Sequence, residues 1–325
     1  MKLVTYRNEE SARLGLLARA GLYDLQHLDK RLPSTMRSFL EGGARSMELA
    51  FDAENYINNR ADFINPIIDF SLESPIPNPT SLRDAYAFPQ HVETARKNRG
   101  LDMIPAFYKF PVFYFSNHQA IFGEGDIICE RDHFNRLDFE LEVAVVLNKQ
   151  GKNIAAHKAD EYIAGYMIMN DFSARTLQMD EMQLSLGPAK GKDFATALGP
   201  WLVTPDELET YRCETPSGHV GNVYALRMSA AVNNKAFSKG MLSDMHWTFA
   251  EIIERCSYGV NMFPGDVIGS GTVGTGCLLE LNGTARRENP NFRERWLMSG
   301  DVVELEVSGL GVLKNRIRRN DVDEQ

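Results

Sequence analysis

Strand-length runs of apolar and β-branched residues recur along most of the chain, with few helical segments between them. The clearest are FPVFYFS at 110–116, the alternating FELEVAVVL at 139–147 and VVELEVSGLGVL at 302–313. Rossmann and TIM-barrel folds need a helix after almost every strand, so this distribution argues against both and favours a mainly β, α+β architecture. The helical pieces are short. The best is DMHWTFAEIIERCS, with Ser243 as its expected cap and Trp247, Ile252, Ile253 and Cys256 on its apolar side. Another is expected over 84–99, interrupted near Pro89.

Pro75, Pro77 and Pro79 divide the chain. Each proline fixes its own φ and biases the preceding residue away from helix, so this stretch reads as an extended connector. The expected organisation is a small N-terminal β-containing domain over 1–72 and a larger domain over 73–325. The first would open with the strand MKLVTYR and continue as helix from a cap at Ser34 toward Asn59. With 325 residues there is enough chain for both.

Charge narrows the partners. The 35 Lys+Arg against 44 Asp+Glu leave a net charge of −9, which argues against nucleic acid, whose phosphates need a basic face. A small anion held locally by a few Arg and Lys stays open. No apolar run approaches the roughly 18 residues of a membrane span, and MKLVTYRNEE does not read as a signal peptide. The four cysteines are scattered without a CxxC, so neither a zinc knuckle nor a disulfide framework is expected. These features predict a cytoplasmic protein with no membrane partner.

Within FELEV, a strand places Phe139, Leu141, Val143 and Val145 on one face and Glu140 and Glu142 on the other, with Cα atoms about 7 Å apart. Two such carboxylates repel unless a hard cation lies between them or one is protonated. Glu304 and Glu306 have the same spacing and serve as a control, read as a solvated strand face. In NDFSARTLQ, Asp171 is either a helix cap with Arg175 as its ion-pair partner, or one of a trio with Arg175 and Gln178 aimed to one side of a short helix. GPAKGKDF presents Lys192 in a glycine-bracketed loop that lacks the P-loop pattern. GSGTVG at 269–274 matches GxGxxG, but TGCLLELNG after it reads as a strand, which removes the helix N-terminus a pyrophosphate requires. Asn282-Gly283-Thr284 reads as a hairpin turn.

Taken together, FELEV, NDFSARTLQ, LGPAKGKDF with Gly199-Pro200-Trp201, and GSGTVG followed by LLELNG resemble the fumarylacetoacetate hydrolase (fumarylacetoacetase) family in its motif order. Upstream, DAYAFPQH at 84–91 is similar to the family's D-x-Y-x4-H segment, and Pro111-Val112-Phe113-Tyr114 to its next strand. The resemblance covers 73–318. It implies a mixed β-sandwich roll catalytic domain with short helices behind the small N-terminal domain, and a homodimer. It implies a divalent cation (Mg²⁺, Ca²⁺ or Mn²⁺) held by Asp84, Glu140, Glu142 and Asp171. His91 matches the catalytic base, Glu280 its orienting partner, and Lys192 a catalytic cation. Tyr86, Tyr114, Arg175, Gln178 and Thr272 match substrate-binding positions. A further family arginine falls at Arg96 or Arg99, and a substrate-touching tyrosine falls near Met182.

The implied activity is metal-dependent hydrolysis of a C–C bond in a 1,3-diketo acid such as fumarylacetoacetate, a reaction of aromatic catabolism. Acylpyruvate or fumarylpyruvate hydrolysis, decarboxylation, isomerisation and sugar-acid dehydration are alternatives on the same metal-enolate scaffold. The D-x-Y-x4-H segment favours hydrolysis, because water must be activated. A catalytically silent β-scaffold that binds metal or a partner is the non-enzymatic alternative. The intact acids with His91, Glu280 and Lys192 argue against it.

Overall fold

In the computed structural model, which describes residues 1–8, 11–18, 21–60 and 65–320, two open sheets frame the molecule. Along the chain, the framing strands are β1 (Lys2–Arg7), β2 (Ala12–Ala18), β3 (Gly21–Asp24), β4 (Ser81–Ala85), β5 (Phe113–Ser116), β6 (Gly125–Cys129), β7 (Leu141–Leu147) and β8 (Ile163–Asp171). They continue as β9 (Thr196–Val203), β10 (Arg227–Val232), β11 (Lys235–Met241), β12 (Asp266–Gly269), β13 (Val302–Val307) and β14 (Gly311–Arg319). The helices that matter here are α1 (Met36–Glu41), α2 (Gly43–Arg60), α3 (Pro89–Lys97), α4 (Arg175–Met182), α5 (Phe249–Ser257) and α6 (Leu278–Glu288). Among the described residues the larger sheet has eleven strands, its path running β3-β2-β1-β9-β8-β7-β12-β4-β5. The second has five, in the order β11-β10-β13-β14-β6.

At its centre, in β7, β8 and β12, the large sheet is buried on both faces, and the period of two explains how. Val143 and Val145 point into a core shared with Met228, Ala230, Leu305 and Leu313 of the second sheet. Ala144 and Val146, one residue out of phase, enter a separate core with Leu3, Leu14, Met169, Leu198 and Ile57 of α2. A strand covered on both sides needs apolar residues at successive positions, which is why VAVVL runs unbroken. The first strands continue this same sheet: Lys2 and Leu3 of β1 pair with Val203 and Leu202 of β9. No described helix is long and apolar enough to cross a membrane, and all four cysteines are free.

Several local expectations are corrected. Residues 84–99 are not one broken helix: β4 runs through Ala85, and Pro89 opens α3 at its first position, where a missing N–H costs nothing. The cap of α1 is Thr35, whose Oγ1 accepts from Ser38 N at 3.3 Å, and not Ser34. Likewise Thr248, not Ser243, caps α5. Its Oγ1 accepts from Glu251 N at 3.2 Å while the Glu251 carboxylate accepts from Thr248 N at 3.0 Å, a complete capping box. Asp171 closes strand β8, so it is neither a helix cap nor part of a helical face with Arg175 and Gln178.

LLELNG is the first half of α6, not a strand, and Asn282-Gly283-Thr284 lies inside that helix, not in a turn. The physical reason is remote: the Asp138 carboxylate accepts from Leu278 N at 2.7 Å and Leu279 N at 2.9 Å, anchoring the helix start. The control pair behaves as expected. Glu306 on β13 is exposed, and Glu304 pairs with Lys314 of the neighbouring strand.

Candidate active site

Adjacent strands β8, β7, β12 and β4 bring four acids to one place. Asp84 lies near the end of β4, Glu140 just ahead of β7, Glu142 within it, and Asp171 at the end of β8. One carboxylate oxygen from each lies within 4.8 Å of the others, and all four side chains are buried. Gly269 sits opposite Asp84 in the parallel pairing of β12 with β4, and a Cβ there would stand 2.5 Å from Asp84 Oδ1. Two residues on, Gly271 N–H donates to both Asp84 Oδ1 and Glu142 Oε2 at 3.1 Å. Its φ of +80° and the 2.6 Å from a hypothetical Cβ to Ala85 O admit only glycine comfortably. The GxGxxG segment therefore supplies backbone donors to carboxylates, not to a pyrophosphate. The start of α6 behind it is already taken by Asp138.

The acids differ in their surroundings. Arg175 donates to Glu140 Oε1 at 2.7 Å and to Asp138 Oδ2 at 2.8 Å. Lys192 Nζ donates to Glu140 and, at 2.7 Å, to Asp171 Oδ2. Burial alone would raise Glu140, but the Lys192 and Arg175 charges outweigh it and hold that carboxyl far below its usual range. For Asp84, burial and then the Asp171 charge push the carboxyl up to about 7. Burial followed by the Asp84 charge drives Glu142 well above its ordinary value. Tyr114 donates to Asp171 Oδ2, and Thr272 Oγ1 to Glu142 Oε1 at 3.3 Å. Asp171 Oδ1 is buried with no hydrogen-bond partner. Four acids against two nearby cations, one shared with Asp138, and a buried carboxylate oxygen without a partner fit a hard divalent cation taking oxygen ligands.

Beside the acids stands a buried pair: His91 Nδ1 lies 2.7 Å from Glu280 Oε2. Both come from first turns, His91 of α3 and Glu280 of α6, and Glu280 Oε1 also accepts from Thr275 N at 3.0 Å. A His91 ring nitrogen lies within 4.8 Å of a Glu140 oxygen. Tyr86 meets the His91 ring edge-on at 5.9 Å, and burial pushes its hydroxyl up to about 12, keeping it a neutral donor.

A cavity of about 1130 Å³ opens onto this centre. Asp84, Glu140, His91 and Lys192 reach its wall, as do Tyr86, Tyr114, Arg175, Gln178 and Thr272. Glu142, Asp171 and Glu280 stand behind that wall, bonded to or clustered with residues that form it. Arg96, Arg99 and Met182 also line the cavity. The sequence reading missed Asp138, which joins the two halves of the site by pairing with Arg175 and starting the helix that carries Glu280. Its signal was an acid at the head of LDFELEV, one step before the residues singled out.

Comparison with known proteins accords with this geometry. Residues 80–318 match the family described as Fumarylacetoacetate (FAA) hydrolase C-terminal. The fumarylacetoacetate hydrolase domain-containing protein 2 homolog of Dictyostelium discoideum is 28% identical over 326 residues, covering 98% of this chain and 97% of that protein. Oxaloacetate tautomerase YisK of Bacillus subtilis is 26% identical over 308 residues, covering 91% and 92%. In structure, the fumarylacetoacetate hydrolase of Exiguobacterium antarcticum superposes with a TM-score of 0.72 at 21% identity, covering 98% of this chain and all of that one, and shows the same fold. On the extent of the family match, this chain is an enzyme of the fumarylacetoacetate hydrolase family.

Proposed function

We propose that the protein is a divalent-cation-dependent hydrolase that cleaves a C–C bond in a 1,3-diketo acid, fumarylacetoacetate being the type of substrate. The observation that carries this reading is the His91–Glu280 pair, buried at 2.7 Å beside the acid cluster, with His91 at the cavity wall and Glu280 behind it. A reaction that consumes water needs a base held for it. Asp84, Glu140, Glu142 and Asp171 would hold the cation, which when bound supplies Lewis-acid polarisation of a chelated diketone.

The chain's own groups do the rest. Glu280 fixes the proton on His91 Nδ1, which leaves Nε2 to take a proton from water and stabilises the imidazolium that results. The deprotonated water oxygen adds to the carbonyl carbon, and as the C–C bond of that adduct breaks, Lys192, Arg175 and Gln178 face the negative charge left on the departing fragment. The imidazolium then returns its proton to carbon. Tyr86, a neutral donor, orients the substrate.

His91→Ala should lower kcat by roughly 10²–10⁴-fold, and exhaustive chelation should abolish turnover until Mg²⁺ or Mn²⁺ is restored. Full activity of metal-free protein in a spectrophotometric acylpyruvate assay would sink the proposal. The near full-length similarity to an oxaloacetate tautomerase favours a second reading, in which the same groups only shuttle a proton between carbon and oxygen. Heavy-oxygen water separates the two: hydrolysis places the label in the acid product, whereas tautomerisation gives no cleavage product.

A further inference from the structure

The residue ahead of α6 is a buried reactive group that the proposed reaction leaves unused. Cys277 is fully buried at the N-cap position, yet its thiol does not cap the helix, because Asp138 already holds the first amides. Among the described residues it has no hydrogen-bond partner, whereas Cys129 and Cys213 each turn their thiol to a backbone carbonyl. Its Sγ instead lies within 4.8 Å of a His91 ring nitrogen and of a Glu140 carboxylate oxygen, which are themselves no farther apart.

Thiolate, imidazole and carboxylate are the three ligand types of zinc sites, and a tetrahedron built on their bond lengths has edges of about 3.3–3.8 Å. Side-chain adjustments of about 1 Å therefore close the trio on one ion. His91 already has the support of a metal ligand. Glu280 Oε2 stands 2.7 Å from Nδ1, the carboxylate partner that metal-bound imidazoles nearly always have, and Nε2 keeps its lone pair. Glu140 accepts from Arg175 at Oε1 and from Lys192 at Oε2, and each oxygen has a further lone pair. Both residues reach the cavity wall, so an ion arriving from the cavity meets them first and keeps water in its fourth position.

Charge leaves room for such an ion. Six buried carboxylates, Asp84, Asp138, Glu140, Glu142, Asp171 and Glu280, meet two fixed cations among the described residues, Arg175 and Lys192. One divalent ion in the four-acid cluster does not balance them. The donors also differ in kind. Four carboxylates favour a hard, oxygen-seeking ion such as Mg²⁺, whereas sulfur and imidazole favour a softer one.

We infer that His91, Glu140 and Cys277 form a second metal site that takes Zn²⁺, beside the hard-cation cluster and sharing Glu140 with it. As the zinc–sulfur bond forms, the thiol proton leaves to water. The ion also takes the Nε2 lone pair of His91. On the reading that His91 is the base for hydrolysis, bound Zn²⁺ therefore arrests turnover; the arrest rests on that reading and the binding does not.

The test uses the full-length protein in saturating Mg²⁺. X-ray absorption after adding Zn²⁺ should show a zinc–sulfur distance of about 2.3 Å. Co²⁺ in its place should give a thiolate-to-metal charge-transfer band, which an all-oxygen site cannot give. Cys277→Ala should remove both signals and weaken Zn²⁺ at least about 100-fold, since it deletes a direct ligand. Glu280→Gln deletes none, and should weaken Zn²⁺ about 10- to 100-fold through His91. A zinc spectrum without sulfur, or a sulfur signal that survives Cys277→Ala, would overturn the site. If Cys277→Ala does not fold, His91→Ala takes its place, and a charge-transfer band unchanged by it would be equally damaging. In the same buffer, Zn²⁺ should inhibit cleavage of acetylpyruvate, and Cys277→Ala should raise the inhibitory concentration by a similar factor, each rate taken against the same protein without zinc. Sulfur-bound zinc with undiminished cleavage would refute the arrest, and His91 as base with it, but not the site. No cleavage by zinc-free protein would count against the hydrolase reading alone, and the two spectra would still decide the site.

Discussion

Gly271 acts through an atom that every residue but proline possesses. Its N–H reaches two carboxylates only because nothing stands on its α-carbon, and its φ of +80° keeps the loop turned toward them. Gly271→Ala should therefore lose about 2–4 kcal/mol of stability, from left-handed strain and the contact with Ala85 O. Mn²⁺ affinity should fall with it, and denaturant titration with calorimetry checks both. A variant with wild-type stability and affinity would show that the loop does not set the acids. At this scale much was legible. The paired glutamates, Asp171, Lys192 and His91 were chosen by chemistry and motif, and the structure brings them together. Asp138 was not, because a carboxylate that accepts from Arg175 and from two backbone amides some 140 positions along the chain leaves no local pattern.

Among the elements, α6 shows most directly how distant contacts override local preference. Its opening residues alternate like a strand, and a helix forms there because Asp138 satisfies its first amides. Asp138→Ala removes that cap and also leaves the buried Arg175 with one anionic partner fewer. A loss of about 3–5 kcal/mol is expected, together with a fall in kcat as Glu280 shifts from His91. Asp138→Asn keeps one acceptor oxygen, enough for Leu278 N but not for Leu279 N as well, and it cannot neutralise Arg175. It should recover stability more fully than rate, a split readable from melting curves and turnover side by side. Other element starts were misplaced by one to a few residues for milder reasons: Ser34 stands next to Thr35, and Pro89 begins a helix where a break was expected. The strands of the two sheets were easier to see, because burial on one or both faces writes itself directly into hydrophobic period.

For the molecule as a whole, the question is whether the chain's opening segment stands apart. β1 hydrogen-bonds to β9 of the sheet that carries Asp171, and Leu3 and Leu14 share a core with Ala144, Met169 and Leu198. A shared sheet and a shared core couple the two regions, so calorimetric unfolding of the full chain should give one transition with matching calorimetric and van't Hoff enthalpies. Two resolved transitions would instead establish residues 1–72 as an autonomous domain. Charge at this scale misleads. The net −9 is a poor guide to the site, where a cluster of four acids lies beside a cavity that Arg96, Arg99 and Arg287 also line.

The layout of α3 and α6 bears on how such an enzyme diversifies. The groups proposed to perform chemistry occupy first turns and buried strand ends, where almost any replacement costs stability. Those at the opposite ends of the same helices are exposed, or half-buried in the case of Arg96, and hold mostly neutral neighbours, so a lineage can exchange them one at a time with little cost to the fold. Selection can thus lengthen, shorten or recharge the molecule accepted while the reacting centre is inherited unchanged.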